Sequence, residues 1–201
     1  MVSRSERKRD QILQAAGKLF AEHGYGVSMD AISKAANVSK QTVYAHFKTK
    51  DVLFETCIQS KCVSNRIDEN AFNTDAPVRD VLLEFGVRFQ NMLLDKGVQQ
   101  TFRNAISQLE LHPDLAALYL ESGPKMTNHV LSNYLSKKVD AGELSLQGSA
   151  EDGAMQLLLL FHGRAVYWAN LGEDSGETPE QRAAYIESCV DLFLKGNGHR
   201  V

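Results

Sequence analysis

VSKQTVYAHFKTK, Val38 to Lys50, sets Ser39, Lys40, Gln41, Thr42, Tyr44 and His46 within barely two helical turns. Between Ser39 and Phe47 the only large aliphatic or phenyl groups are Val43 and Phe47. At 100° per residue Val43 and Phe47 fall together and face a core. Gln41 and Ala45 lie opposite, with Thr42 beside them; Lys40 and Tyr44 flank one edge of that face and His46 the other. A duplex major groove calls for this order of groups. Amides and hydroxyls near a helix N-terminus meet base edges, and a residue as small as Ala45 lets the helix approach and touches a thymine methyl. Tyr44, Lys40, His46 and Lys50 reach sideways to phosphates, which fix register without reading sequence. A merely solvated helix accounts for the polarity but not for the arrangement around the wheel.

Working outward, Ser39 caps this helix and Val38 staples against Val43. The preceding short helix repeats the device: Ser28 is its cap, Val27 packs on Ile32, and the helix ends near Ala36. Its capped N-terminus points free backbone donors outward, a phosphate-binding geometry. The brief Asn37-Val38 link makes the pair a helix-turn-helix candidate. Upstream, a helix over residues 5–23 carries Ile12, Ala16, Leu19, Phe20 and His23 on one stripe, and Gly24 closes it. Residues 1–50 hold nine Lys/Arg against four Asp/Glu, whereas residues 51–201 hold thirteen against twenty-one. A basic head on an acidic body predicts that the head meets a polyanion.

The run RDQILQAAGKLFAEHGYGVSMDAISKAANVSKQTVYAHFKTKDVLFE, Arg9 to Glu55, resembles the DNA-binding domain of tetracycline-repressor-type (TetR family) transcriptional regulators. The signature ILQAAGKLFAEHGY, the capped VSMDAISKAANVSKQTVYAHF and the closing KDVL stand at that family's spacings. The resemblance implies a cytoplasmic homodimer, a palindromic double-stranded operator, and repression relieved by a small-molecule effector in the C-terminal domain. Its pattern assigns Ser28, Tyr44, His46 and Lys50 to phosphates and Lys40, Gln41, Thr42 and Ala45 to bases, with Ser39 capping the same DNA-facing helix. ELHPDLAALYLESGP and YLSKKVDAGEL, further on, are similar to the C-terminal domains of the efflux-regulator (AefR-like) branch.

No segment alternates as a strand does, and 3.6-residue periodicity runs throughout, so the expected class is all-α. A three-helix head over 1–50 is expected to lead through a connecting helix, 51–70, into a larger helical domain for ligand binding and dimerisation, 71–201. In that domain helices are expected at 77–94 and 98–111, and another opens at Pro113, is interrupted at Gly123-Pro124 and resumes to 140. Two more follow at 149–171 and 179–195. Leu82, Phe85, Phe89, Met92, Phe102, Ile106, Phe161 and Trp168 are candidates to line an apolar cavity, with Arg88, Arg103 or His162 as polar handles. Ala154, Leu157, Leu158, Phe161, Ala165 and Trp168 on one helix, with Ala183, Ile186, Val190 and Phe193 on the last, are candidates for a two-fold four-helix seam.

Other chemistries find no support in the spacing. His23, His46, His112, His129, His162 and His199 contain no i, i+4 metal pair, and Walker, G-x-S-x-G and dinucleotide motifs are missing. Cys57, Cys62 and Cys189 match no zinc or redox spacing and read as small buried hydrophobes. No cofactor, metal or catalytic activity is expected. The charged opening, Ser3 to Asp10, does not read as a secretory signal, and the longest apolar run is too short to span a bilayer. The rival reading is an all-helical carrier or enzyme that borrows a helix-turn-helix shape; the concentration of charge around Lys40, Tyr44 and Lys50 argues against it.

Overall fold

The computed structural model describes residues 3–68, 72, 75–110 and 113–197, and among them it is helical without strands. The head opens with α1 (Arg4–His23), whose N-terminus is closed by a capping box: Glu6 N donates to Ser3 Oγ at 3.1 Å and Ser3 N to Glu6 Oε2 at 2.6 Å. Ile12, Ala16 and Phe20 are its buried stripe, and Gly24, at φ +70°, ends it with its amide on the Phe20 carbonyl. Then come α2 (Met29–Ala35) and α3 (Lys40–His46), each capped by the expected serine: Ser28 Oγ accepts from Ala31 N and Ser39 Oγ from Thr42 N, both at 3.1 Å. Asn37 turns the chain between them at φ +50°, a left-handed position that asparagine tolerates better than most residues. Ile12, Phe20, Ile32, Val43, Phe47, Leu53 and Phe54 form the heart of the head's core.

α4 (Lys50–Ser64) stops six residues short of residue 70, the expected end of the connecting helix. Arg66 adopts φ +54°, Ile67 N donates back to Cys62 O at 2.8 Å and Arg66 N to Val63 O at 2.9 Å. This is a Schellman closure in which an arginine stands where glycine is usual, and the fully buried Ile67 supplies its apolar contact. The boundary expected at 70–71 lies outside the described residues.

The remaining elements are α5 (Val78–Leu93), α6 (Lys96–Ser107), α7 (Pro113–Leu120), α8 (Met126–Asp140), α9 (Ala150–Asn170) and α10 (Pro179–Gly196). The expected interruption at Gly123-Pro124 is a π-helical turn, Glu121–Lys125, which widens the ladder where the proline supplies no amide hydrogen. α6 starts two residues earlier than expected and ends at Ser107.

Packing divides the chain into two units that are not contiguous in sequence: Met1–Lys61 with Lys96–Pro124, and Cys62–Asp95 with Lys125–Val201. α6 and α7 therefore group with the head, whereas the sequence-based division kept 71–201 together. Asn104 of α6 shows why, since its amide donates to the Phe20 and Ala21 carbonyls at 3.1 and 3.0 Å, satisfying the end of α1. In the second unit α5 lies against α9 and α10. A β-carbon on Gly86 would stand 2.7 Å from Ile186 Cγ2 and 3.0 Å from Phe161 Cε1, so only glycine permits this approach. Arg79 ties α5 to α10 through Asp191 and Glu187, each at 2.7 Å.

α9 was expected to be one unbroken helix. It is broken at Gly163, whose φ of 54° and ψ of −173° belong to a region open essentially to glycine.

Candidate nucleic-acid interface

α3 buries Val43 and Phe47 and leaves Gln41, Tyr44 and Ala45 exposed, with Thr42 and His46 half-buried. The short helix cannot hold this face by itself, because one or two turns are marginal in water. It is pinned by its core residues, by the Ser39 cap, and by a second bond of 2.8 Å between the Ser39 and Thr42 hydroxyls. Gln41 is the exposed amide of this helix, and an amide's paired donor and acceptor suit the adenine edge.

Three contacts around α3 were not legible in the sequence. Lys40 pairs with Asp30 of α2 at 3.0 Å, and Asp30 raises the lysine pKa by that hydrogen bond; both groups are well exposed. Lys50, the first residue of α4, donates to the Tyr25 carbonyl at 2.8 Å and sits 4.1 Å from the centre of the Tyr25 ring, while burial lowers its pKa. The Arg9 guanidinium lies 5.3 Å over the Phe47 ring, which brings the basic first turns of α1 beside the end of α3. Lys50 is thus tied into the head as well as cationic. Lys50→Ala should lower head stability by about 1–2 kcal/mol. The same substitution should weaken all duplexes alike and reduce the salt slope by about one. Thermal melts and a salt titration of duplex binding check the two effects.

In the second unit, Phe85, Phe89, Met92 and Phe161 are buried as expected of cavity or core residues. The Phe85 and Phe89 rings are 6.0 Å apart and nearly parallel, and His162 meets Phe89 edge-on at 5.9 Å. His162 Nδ1 lies 2.7 Å from the Leu158 carbonyl, so Nδ1 carries the proton. Arg88 pairs with Glu84 of its own helix. Phe102 and Arg103 lie in the other unit, where Phe102 packs on Tyr119 and Arg103 donates to Gln100. Trp168, at 41% exposure, lines no interior. Of the expected lining, Phe102, Arg103 and Ile106 thus belong to the unit that contains the head, and the others to the second unit.

The expected dimer residues are corrected more sharply. Leu157, Leu158, Phe161, Ala165, Ile186, Val190 and Phe193 are all buried within the protomer, and so is Ala154. Their helical spacing is that of the domain's own core. The apolar groups that α9 and α10 leave exposed are Met155, Leu159, Tyr167, Trp168 and, on α10, Leu192, with Leu171 just beyond α9. Leu159, Tyr167 and Leu192 line an open groove of about 870 Å³ between the two helices, which Tyr185, His162 and Gly163 also border.

Sequence reasoning also missed Gln90, only 2% exposed on α5. Its amide donates to the Phe161 and His162 carbonyls at 2.9 and 3.4 Å, and the Tyr185 hydroxyl donates to the Leu160 carbonyl at 3.0 Å. These carbonyls belong to the turn that ends at the Gly163 break, where a helix leaves acceptors without amide partners. A glutamine among hydrophobics is the only sequence signal for this arrangement.

The cysteines are free, and burial pushes the Cys57 thiol up to about 12 and Cys62 to about 11, which leaves neither a nucleophile. Among the described residues no cluster of His, Cys, Asp or Glu is placed to hold a metal, and no helix is long and apolar enough to cross a membrane. His112 and His199 lie outside the described residues.

Comparison with known proteins agrees with this geometry. The model of bacterial regulatory proteins of the tetR family matches residues 12–57, and that of the AefR-like transcriptional repressor C-terminal domain matches residues 80–196. The chain is 25% identical over 195 residues to the biofilm operon icaADBC negative transcriptional regulator IcaR of Staphylococcus aureus, covering 93% of this chain and 99% of that protein. Among solved structures it is similar to the flavonoid-responsive regulator FrrA, at 33% identity and a TM-score of 0.74 over 94% of this chain and 96% of that one. It is also similar to a TetR family transcriptional regulator from Pseudomonas syringae, at 25% identity and a TM-score of 0.68 over 94% and 96%. A head whose third helix turns amide and hydroxyl groups outward, joined to an AefR-like helical body, makes this chain a member of the TetR family of DNA-binding transcriptional regulators.

Proposed function

We propose that the protein is a homodimeric repressor that reads a palindromic operator through α3 and leaves it when a small molecule binds the second unit, without catalysis. The observation that carries the reading is the exposed face of α3. Gln41 and Thr42 stand at its N-terminal end, Ala45 permits close approach, and Tyr44, His46, Lys40 and Lys50 surround them as phosphate-directed groups, joined by Ser28, the cap of α2. One such head contacts a single half-site, and specific binding normally uses two, held about one helical turn or a multiple apart. The exposed apolar strip of α9 and α10, rather than their buried stripes, is the surface suited to hold two heads at that spacing. Repression is the sign borne by IcaR, whose name calls it a negative regulator. Response to a small molecule is the property in the name of FrrA, and the aromatic interior of the second unit suits an aromatic effector.

Gln41→Ala should relax discrimination at one or two base pairs, each worth about 1–3 kcal/mol, while binding to unrelated duplexes stays nearly constant. An operator-variant screen checks this. Uniform weakening across all variants would assign Gln41 to the DNA backbone instead.

A further inference from the structure

One aromatic side chain in the second unit does not come from a helix. Phe72, in the connection between α4 and α5, is half-buried and inserted between two rings that belong to the interior. Its centroid is 4.4 Å from that of Tyr134 on α8, with 13° between the planes, and 5.0 Å from that of Phe85 on α5, with 25°. Tyr134 is 3% exposed and Phe85 is fully buried. Beyond Phe85 the column continues to Phe89 and ends edge-on at His162.

Aromatic pairs in protein interiors adopt many tilts, edge-to-face among the commonest. A ring held nearly parallel between two others defines a flat slot about one aromatic thickness wide. The slot has a polar feature that Phe72 does not use. The Tyr134 hydroxyl is buried and has no hydrogen-bond partner among the described residues, an arrangement folded chains seldom leave standing. Burial raises its pKa, so the hydroxyl keeps a proton to donate. Phenylalanine fills the slot's width and leaves its hydrogen bond unmade.

We propose that the slot between Tyr134 and Phe85 is the seat of a planar, oxygen-bearing aromatic effector, and that Phe72 is an internal plug which the effector displaces. The inference rests on the reading that the second unit takes a small molecule, and it adds the chemical class and the residues. A flat polyphenol or hydroxylated bicyclic ring would keep both stacking contacts and give the Tyr134 hydroxyl an acceptor. An aliphatic acid of equal volume would fill space but restore neither stack. Because the plug is part of the protein, the observed affinity is the intrinsic affinity reduced by the fraction of molecules in which Phe72 is out. Shortening Phe72 should therefore tighten binding, the opposite of what removal of a ligand-contacting ring does.

The test is calorimetric titration of the full chain with quercetin, with unsubstituted flavone and with decanoate, using wild type, Phe72→Ala, Phe72→Leu and Tyr134→Phe. Phe72→Leu retains apolar volume, which guards against loss of fold in the alanine variant, and thermal melts verify folding of each. Quercetin should bind both Phe72 variants about tenfold more tightly than wild type, with decanoate unchanged. Tyr134→Phe should weaken quercetin and flavone alike about fivefold, since the ring carbonyl of each can accept from the hydroxyl, and leave decanoate unchanged. Quercetin affinity that is unchanged or lower in both Phe72 variants would overturn the plug, as would a total lack of quercetin binding. An equal gain for decanoate would overturn the planar class. Operator binding measured on the same samples separates this from the repressor reading, since that reading fails only if wild-type protein binds no specific DNA.

Discussion

Gly163→Ala should lower the melting temperature by roughly 5–20 °C, the change expected when about 2–6 kcal/mol is lost in a domain of this size. Two separate costs add. The backbone at φ 54°, ψ −173° is strained for any residue with a β-carbon, about 1–3 kcal/mol. The new methyl would also stand 2.6 Å from Tyr185 Cε1 and 3.1 Å from Cδ1, and overpacking of this kind costs about 1–3 kcal/mol. Tyr185 is not free to swing aside, because its hydroxyl holds the Leu160 carbonyl at 3.0 Å. If α9 straightened instead, the Phe161 and His162 carbonyls would leave Gln90, and an amide that is now satisfied would be stranded in the core. Either route destabilises the domain. A melt within a degree or two of wild type would show that the break is not required by the packing around it.

Leu159→Asp combined with Leu192→Asp should produce folded monomers whose operator affinity falls at least a hundredfold while non-specific binding persists. Both leucines are 63% exposed in the protomer and border the same groove, so charging them costs the isolated fold little. In a two-fold contact each substitution appears twice and brings like charges into a desolvated seam. The buried stripe makes an internal control. Leu158, at 5% exposure, should respond to Asp substitution by unfolding rather than by dissociating. Sedimentation velocity at micromolar protein, with circular dichroism on the same samples, distinguishes the outcomes. A double variant that remains dimeric would move the seam elsewhere.

The contrast between Leu158 and Leu159 also marks how far the sequence could be read. α3 was legible because one side of a two-turn helix is apolar and the other polar, so exposure followed from angle alone. The serine caps at Ser28 and Ser39 were legible because capping is local. α9 is apolar over more of its circumference, and nothing in periodicity says which apolar arc meets the protomer's core and which is left outside. The Gly163 break was missed because a single glycine in a helical pattern ordinarily costs only about 1 kcal/mol and signals no bend. Gln90, Tyr25 and Asn104 act on carbonyls or side chains far away in sequence, as with the Lys50–Tyr25 bond across 25 positions, and no window of neighbouring residues contains such a contact. Arg66 closes α4 in a conformation that glycine would have announced and arginine does not.

The central claim is that two copies of α3 read base sequence. Footprinting of the wild-type protein on the DNA flanking its own gene, followed by anisotropy titration of the protected duplex against a scrambled one at physiological salt, tests it most directly. The expected result is a two-fold protected site with half-sites about one helical turn or a multiple apart, bound at least a thousandfold more tightly than the scrambled duplex. Equal affinity for both duplexes, with no protected site, would contradict it.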